Sequence, residues 1–332
     1  MEKCEIIAEV GLLHNGEIEK AFKLVETAAE CGADVVKFQT HIPESETLVD
    51  APAPAYFKDE PRYEYFKRTG FNINEWEKIH EKCKGKNIEF MSSVFSIESV
   101  KLLEKIGIKR YKIPSGEVTN IPLLEYVSKL KKPIILSSGM TNWEELDEAV
   151  NTIAKNNEKL TILQCTSAYP AKYEEIGLNV MLEMKERYKK PVGLSDHSLT
   201  NYSSYAAATL GATIIEKHLT ASKKWYGSDS KHSLEPKDFE ELVKGIRAIK
   251  QMSTNKVDKD NIKKFKDMRK IFQKSVVSLV DIPRGTRIEE DMVSTKKPGV
   301  GLEPKYFRDI IGKKVKKDIK KDSTILKSDI DW

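Results

Sequence analysis

Eight short runs rich in β-branched and other apolar residues recur along the first three-quarters of this chain, at 5–10, 34–39, 88–93, 110–115, 133–138, 160–165, 191–195 and 213–217. Nearly continuous apolar character is what strands covered on both faces require. Amphipathic segments lie between them. Over 18–31, Ala21, Leu24, Val25 and Ala28 share one stripe, and over 143–154 Leu146, Ala149, Val150 and Ile153 do the same. Thr141 or Asn142 can cap the second of these, with Glu144 and Glu145 in its first turn. Eight strand–helix repeats in about 250 residues predict a (β/α)8 TIM barrel. A doubly wound sheet is the alternative, and the even spacing of eight strands argues against it.

At 332 residues the chain is long enough for a sizeable core and more than one domain. The expected division is a barrel over 1–252, a polar linker over 253–270 and a small C-terminal domain over 271–332. No apolar run approaches the roughly 20 residues of a membrane helix, so no membrane partner is expected. Met1 to Glu5 lead directly into the first strand, so no signal peptide and a cytoplasmic location are expected. Cys4, Cys31, Cys83 and Cys165 show no CxxC spacing and read as small buried residues of a reducing compartment. From Lys256 onward the chain holds 21 Lys and Arg against 13 Asp and Glu, whereas the part before it holds 35 against 38. That basic tail lacks interleaved aromatics or a nucleic-acid motif. It is read as a solvated surface that helps attract an anionic substrate rather than as a nucleic-acid site.

The predicted strands end in chemistry. Glu9, Lys37, Ser93, Lys112 with Ser115 and Glu117, Ser138, Ser167, Ser195, His197 and His218 fall at the same point of successive repeats. In a parallel barrel those ends converge on one face. Two imidazoles on consecutive strand ends suit an open metal site, with two satisfied core histidines as the alternative. A lysine directed into a barrel mouth needs an anionic partner. Lys37 and Lys112 with a ring of hydroxyls therefore suit a phosphorylated, carboxylated substrate. A lysine forming a Schiff base is the rival chemistry. A divalent ion on His197 and His218 would polarise an aldehyde oxygen, and Glu9 and Glu117 would handle water or a proton. No Walker-type or GxGxxG sequence stands in a strand–turn–helix context, which argues against nucleotide-driven chemistry.

Many ordered motifs resemble the sialic acid synthases, which condense phosphoenolpyruvate with an amino sugar. They are Ile7 to Gly11 with His14-Asn15-Gly16, Val36 to Thr40, Tyr111 to Glu117, Ser137 to Met140, Gln164 to Pro170, Gly193 to Leu199, Glu216 to Thr220 and His232 to Pro236. The resemblance runs along the whole barrel. It implies that His197 and His218 bind Mn2+ or a similar ion, with Mg2+ and Co2+ as the other candidates. It implies that Lys112, Ser115, Ser138 and Ser195, with Ser93 and Lys37, hold phosphoenolpyruvate. Glu9 would serve the aldehyde region, Glu117 would orient water, and Tyr169 and Asp229 would contact the acceptor sugar. Ser167 stands where the family commonly has Asn, and a shorter side chain there reaches phosphate through water.

The tail carries a strand–turn–strand pattern over 275–288, then Lys297-Pro298-Gly299. It resembles the antifreeze-like (SAF) β-clip domain that ends sialic acid synthases. In relatives this domain reaches over a partner's barrel, which implies a domain-swapped homodimer. Where the family usually has Arg before Pro-Gly, this chain has Lys297, which keeps the charge but loses the guanidinium fork. The resemblance therefore leaves open whether the acceptor is N-acetylmannosamine, a diacetamido-trideoxyhexose leading to legionaminic or pseudaminic acid, or a 6-phosphorylated hexosamine.

Overall fold

The computed structural model describes residues 3–52 and 60–332. The chain divides into two compact units, Met1–Asn255 and Lys256–Trp332. In the first, eight parallel strands close a barrel in sequence order. They are β1 (Glu5–Gly11), β2 (Val35–Thr40), β3 (Glu89–Val94), β4 (Tyr111–Ile113), β5 (Ile134–Ser137), β6 (Leu160–Cys165), β7 (Val192–Asp196) and β8 (Ile214–His218). β8 pairs back onto β1, so the predicted (β/α)8 barrel is the observed fold. Asn142 caps the helix Trp143–Ala154, as its position suggested, and makes a reciprocal capping box with Glu145. The run expected to continue to residue 115 ends at Ile113. Pro114 has no N–H for the ladder, and Ser115–Glu117 turn into a 3₁₀ helix.

Side chains of a strand alternate in direction, so every second residue faces the barrel axis. Three axial layers result. At the N-terminal end, Arg110 donates to both oxygens of Glu5 at 2.6 and 2.7 Å and to Glu89 at 2.7 Å, a charged plug. Two residues further along each strand, Ile7, Val35, Met91, Ile135, Leu163 and Ile214 form an apolar layer. β7 contributes Gly193 beside Leu163, where a Cβ would lie 2.3 Å from the Ile214 carbonyl oxygen. One more step brings Glu9, Lys37, Ser93, Ser137, Cys165, Ser195 and Glu216 to the C-terminal mouth.

The alternate residues face the helices. There Ile6, Val36, Phe38, Phe90, Ile113, Leu136, Leu194 and Ile215 join the main core. Two of these outward positions are charged. Lys217 lies 2.8 Å from Asp196 Oδ2 and donates to the carbonyls of Ser198 at 2.6 Å and Thr200 at 2.8 Å. Ser203 and Ser204 hydroxyls both donate to Asp196 at 2.6 Å. Burial acts to neutralise Asp196. The Lys217 ammonium and the two hydroxyls outweigh it and hold the carboxyl below its ordinary range.

In the second unit, β9 (Ser275–Ser278) pairs antiparallel with β10 (Val293–Lys296) around a separate core that includes Val276, Ile288, Leu302, Ile310 and Ile325. The pattern read over 275–288 is not a local hairpin. Ile282 bridges to Ile319 and Arg287 to Lys314, because those distant partners complete the core.

Lys217→Met should lower barrel stability by about 3–5 kcal/mol, because it strands Asp196 as an uncompensated buried charge. Calorimetric melting checks this, and a melting curve like wild type would show that the pair is structurally idle.

Candidate active site

The mouth layer is a compact, nearly electroneutral cluster. Lys37 lies 2.5 Å from Glu9 Oε2 and 3.6 Å from Glu216 Oε1. Lys112 lies 3.3 Å from the same Glu216 oxygen and donates to Ser137 Oγ at 2.7 Å. Ser195 donates to Glu216 at 2.9 Å, Lys37 to Ser93 at 3.1 Å, and Gln39 to Glu9 at 2.7 Å. Both lysines and both glutamates are buried. Burial alone would neutralise Glu216, but Lys112 and Lys37 hold its carboxyl well below the ordinary range. Burial also works against the Lys37 ammonium, and Glu216 and Glu9 overcome it, so that its pKa is raised. For Lys112 burial prevails and the pKa is lowered, and for Glu9 burial raises it despite Lys37.

The cluster floors a cavity of about 540 Å³. One wall carries Leu12, Tyr65, Phe66 and Phe95, Met140 also lines the cavity, and Arg62 reaches it from the helix Arg62–Thr69. Ser115 and Ser167 converge beside Gly139, where a Cβ would lie 2.6 and 2.3 Å from their hydroxyl oxygens. Gly11 sits at a bulge of β1 with φ +49°, and a Cβ there would come 2.8 Å from Asp229 Oδ2. The two glycines thus let the lining side chains of Ser115, Ser167 and Asp229 lie close against the backbone.

His197 and His218 face each other with ring centroids 5.3 Å apart, and the Tyr169 ring lies 4.3 Å from that of His197. His197 Nδ1 is 2.8 Å from the Thr166 carbonyl, which fixes a proton on that nitrogen and makes Nε2 the one that could bind an ion. His218 Nδ1 is buried without a hydrogen-bond partner among the described residues and lies 3.8 Å from Asp229 Oδ2. Burial, with His197 and Lys37 nearby, pushes its pKa far down, so its imidazole is neutral. An orphaned neutral imidazole beside an oriented one is the donor set a divalent ion takes. No group of three His, Cys, Asp or Glu among the described residues is arranged around one ion position. Any ion held here would keep coordination positions open for water or substrate.

The structure brings together Glu9, Lys37, Ser93, Lys112, Ser115, Ser167, Tyr169, Ser195, His197, His218 and Asp229 around this cavity. Two predicted barrel residues lie off its lining. Ser138 points to Gln164 at 3.3 Å, and its neighbour Ser137 takes the inward position. Glu117 sits on the 3₁₀ turn, accepts from Asn120 at 2.7 Å, and has its pKa raised by burial. Lys297 belongs to the second unit, where its ammonium lies 5.3 Å from the Phe272 ring centroid. His14 is structural: it stacks on Phe71 and accepts from the Gly16 N–H at 3.1 Å. Glu216, Ser137, Gln39, His41 and Arg62 were not assigned from sequence. Glu216 had a signal, since it stands one inward step before His218.

A sequence model of the NeuB family matches residues 24–258. The chain belongs to that family. A SAF domain model matches 273–331. An N,N'-diacetyllegionaminic acid synthase of Campylobacter jejuni is 39% identical over 98% of this chain and 99% of that protein. A pseudaminic acid synthase of Helicobacter pylori is 31% identical over 100% of this chain and 99% of that protein. Among solved structures, an N-acetylneuraminic acid synthetase from Leptospira borgpetersenii superposes with TM-score 0.70 at 29% identity, covering 81% of this chain and 92% of that one.

In this NeuB-family barrel Glu216→Ala should leave two buried ammonium groups short of a counter-charge. A loss of about 3–5 kcal/mol is expected, partly restored by inorganic phosphate. Glu216 is ionised far below its unfolded pKa. Its contribution is therefore complete above about pH 4.3 and is lost as pH falls through the folded value. Melting with and without phosphate tests this, and a phosphate-independent, wild-type melting curve would refute it.

Proposed function

We propose that this chain is a nonulosonic acid synthase of the sialic acid synthase type. It joins phosphoenolpyruvate to the open-chain aldehyde of an N-acylated hexosamine, adds water and releases inorganic phosphate. The observation that carries this reading is the floor of two buried ammonium groups and inward hydroxyls, set directly beside two ligand-competent imidazoles.

Phosphoenolpyruvate brings several negative charges to that floor. Lys112 and Lys37, with Ser93, Ser115, Ser137, Ser167 and Ser195, offer the donors that would receive its phosphate and carboxylate. Exclusion of bulk water strengthens these contacts. The acceptor lies toward Tyr169 and Asp229. The enol C3 attacks the aldehyde carbon, and the aldehyde oxygen takes a proton to become a hydroxyl. Glu9, a carboxylate held by Lys37, would position the water that supplies that proton. Water adds at C2 with its proton passing to a carboxylate, a role we give to Glu117. The tetrahedral intermediate then loses phosphate by C–O cleavage. His197 and His218 would hold a divalent ion, Mn2+ by family resemblance, which supplies Lewis-acid polarisation when bound.

The acceptor is drawn from N-acetylmannosamine, a 6-phosphorylated hexosamine and the diacetamido-trideoxyhexoses. The apolar wall of Leu12, Tyr65, Phe66 and Phe95 and the 39% identity to an N,N'-diacetyllegionaminic acid synthase favour the last. One observation favours a Schiff-base aldolase, the lowered pKa of Lys112. Borohydride trapping with substrate separates the two. No helix among the described residues is long and apolar enough to cross a membrane. Four buried free cysteines suit a reducing, cytoplasmic setting. Exposed Val257, Ile262, Phe265, Met268, Ile271 and Phe272 are apolar surface that a second subunit would cover in a domain-swapped homodimer.

Phosphate release from phosphoenolpyruvate should require an amino-sugar aldehyde. It should stop in excess chelator and return with Mn2+. Lys112→Ala should weaken phosphoenolpyruvate binding by at least about 2 kcal/mol in calorimetry. Release without an acceptor, or full turnover in chelator, would count against the reading. For the shared site, inactive His197→Ala and inactive Lys297→Glu should regain some activity when co-expressed, because one barrel is then paired with one intact tail. Purified heterodimers that stay inactive would exclude it.

A further inference from the structure

β2 ends at Thr40, and the residue after it is not used by any role assigned above. The ring of His41 is sandwiched between Phe66, with centroids 3.8 Å apart and 8° between planes, and Phe95, at 4.0 Å and 24°. Its Nδ1 lies 2.5 Å from Glu46 Oε1, and its Nε2 lies 3.2 Å from Gln39 Oε1. The His41 and Glu46 side chains are only 3% and 5% exposed. Gln39 Nε2 then donates to Glu9 Oε1 at 2.7 Å, and the other Glu9 oxygen holds Lys37 at 2.5 Å.

Donor and acceptor rules make this chain directional. A Glu9 carboxylate held by Lys37 accepts only, so the Gln39 amide must turn its NH₂ toward it. The amide carbonyl is then left facing His41, and a carbonyl also only accepts, so His41 must carry a proton on Nε2. Shape alone would not settle the amide, since its two ends are nearly the same size. Turned half a revolution, Gln39 would set its oxygen against a Glu9 oxygen and push that carboxylate off Lys37. Stacking fixes the ring plane of His41, and Glu46 fixes its rotation about that plane.

We infer that the buried His41–Glu46 pair is a positioning device, which holds the Gln39 amide in the one orientation that secures Glu9 against Lys37. His41 and Glu46 are positioning residues that act through Gln39. The inference deepens the proposed function and rests on it for the effect on turnover alone.

The full-length protein is tested with His41→Phe, which keeps the aromatic stack and removes both nitrogens, with Gln39→Leu, and with the two combined. Each single variant should lower kcat about tenfold or more, with KM for phosphoenolpyruvate within about threefold of wild type. The double variant should be no worse than Gln39→Leu alone, because the two residues act in series. Glu46→Leu, which removes the anchor of Nδ1, should lower kcat as His41→Phe does and covers the case in which that variant does not fold, while Glu46→Gln, which can still orient the ring, should restore it. A second readout needs no turnover. The Gln39 side-chain amide, followed in protein labelled with ¹⁵N-glutamine, should exchange slowly with solvent in wild type and Glu46→Gln, and quickly in His41→Phe. Additive losses in the double variant, wild-type kcat in His41→Phe, or rapid amide exchange in wild type would each overturn the inference. If wild type releases no phosphate from phosphoenolpyruvate with any acceptor, the functional reading falls and amide exchange alone decides this one.

Discussion

In a closed parallel barrel each strand shows its side chains alternately to the axis and to the helices, and the site depends on that two-residue step. The ends of β7 and β8 make the point most sharply. Ser195 and His197 face inward with Glu216 and His218, while Asp196 and Lys217 between them face outward and bind each other. One tripeptide on each strand therefore carries both chemistry and its own brace. The outward pair also ties down the Ser198 and Thr200 carbonyls that follow His197, so the imidazole rests on a fixed strand end.

The inward charges solve a second problem. Two ammonium groups buried at the base of a cavity would be intolerable alone, and Glu9 and Glu216 make the empty site stable. A ligand anion entering this floor does not meet free cations; it has to share Lys37 and Lys112 with carboxylates already there. That sharing holds both ammonium groups in place on the floor. It also explains why the hydroxyls of Ser93, Ser137 and Ser195 matter: they supply donors to the incoming anion without adding charge to the empty pocket.

Much of this was legible from sequence because strands buried on two faces leave a strong, short apolar signature, and eight of them permit few closures. The polar strand ends were legible for the same reason. What escaped depended on register or on loops. Ser137-Ser138 offers two adjacent hydroxyls, and only the pairing of Lys112 with Ile135 on β5 decides that Ser137 is inward. Pro114 ends β4 at Ile113, two residues before the expected end, so Glu117 stands on a 3₁₀ turn that strand periodicity does not describe. His41, Glu46 and Arg62 lie in the irregular connection after β2, where no periodicity marks a residue as facing a cavity. In the second unit the pairing of Ile282 with Ile319 spans too much sequence for local turn signals to announce.

The bare backbone at Gly11 bears on how the pocket could ever change. The side chains of Asp229 and Gln39 fill the space in front of that peptide, where a Cβ would lie 2.8 and 3.3 Å from them. Any side chain at position 11 would displace those two lining residues, so Gly11 is a fixed point of the pocket. Room for a bulkier ligand has to be sought at lining side chains such as Leu12, Tyr65, Phe66 and Met140. There every position still has a side chain that can be trimmed.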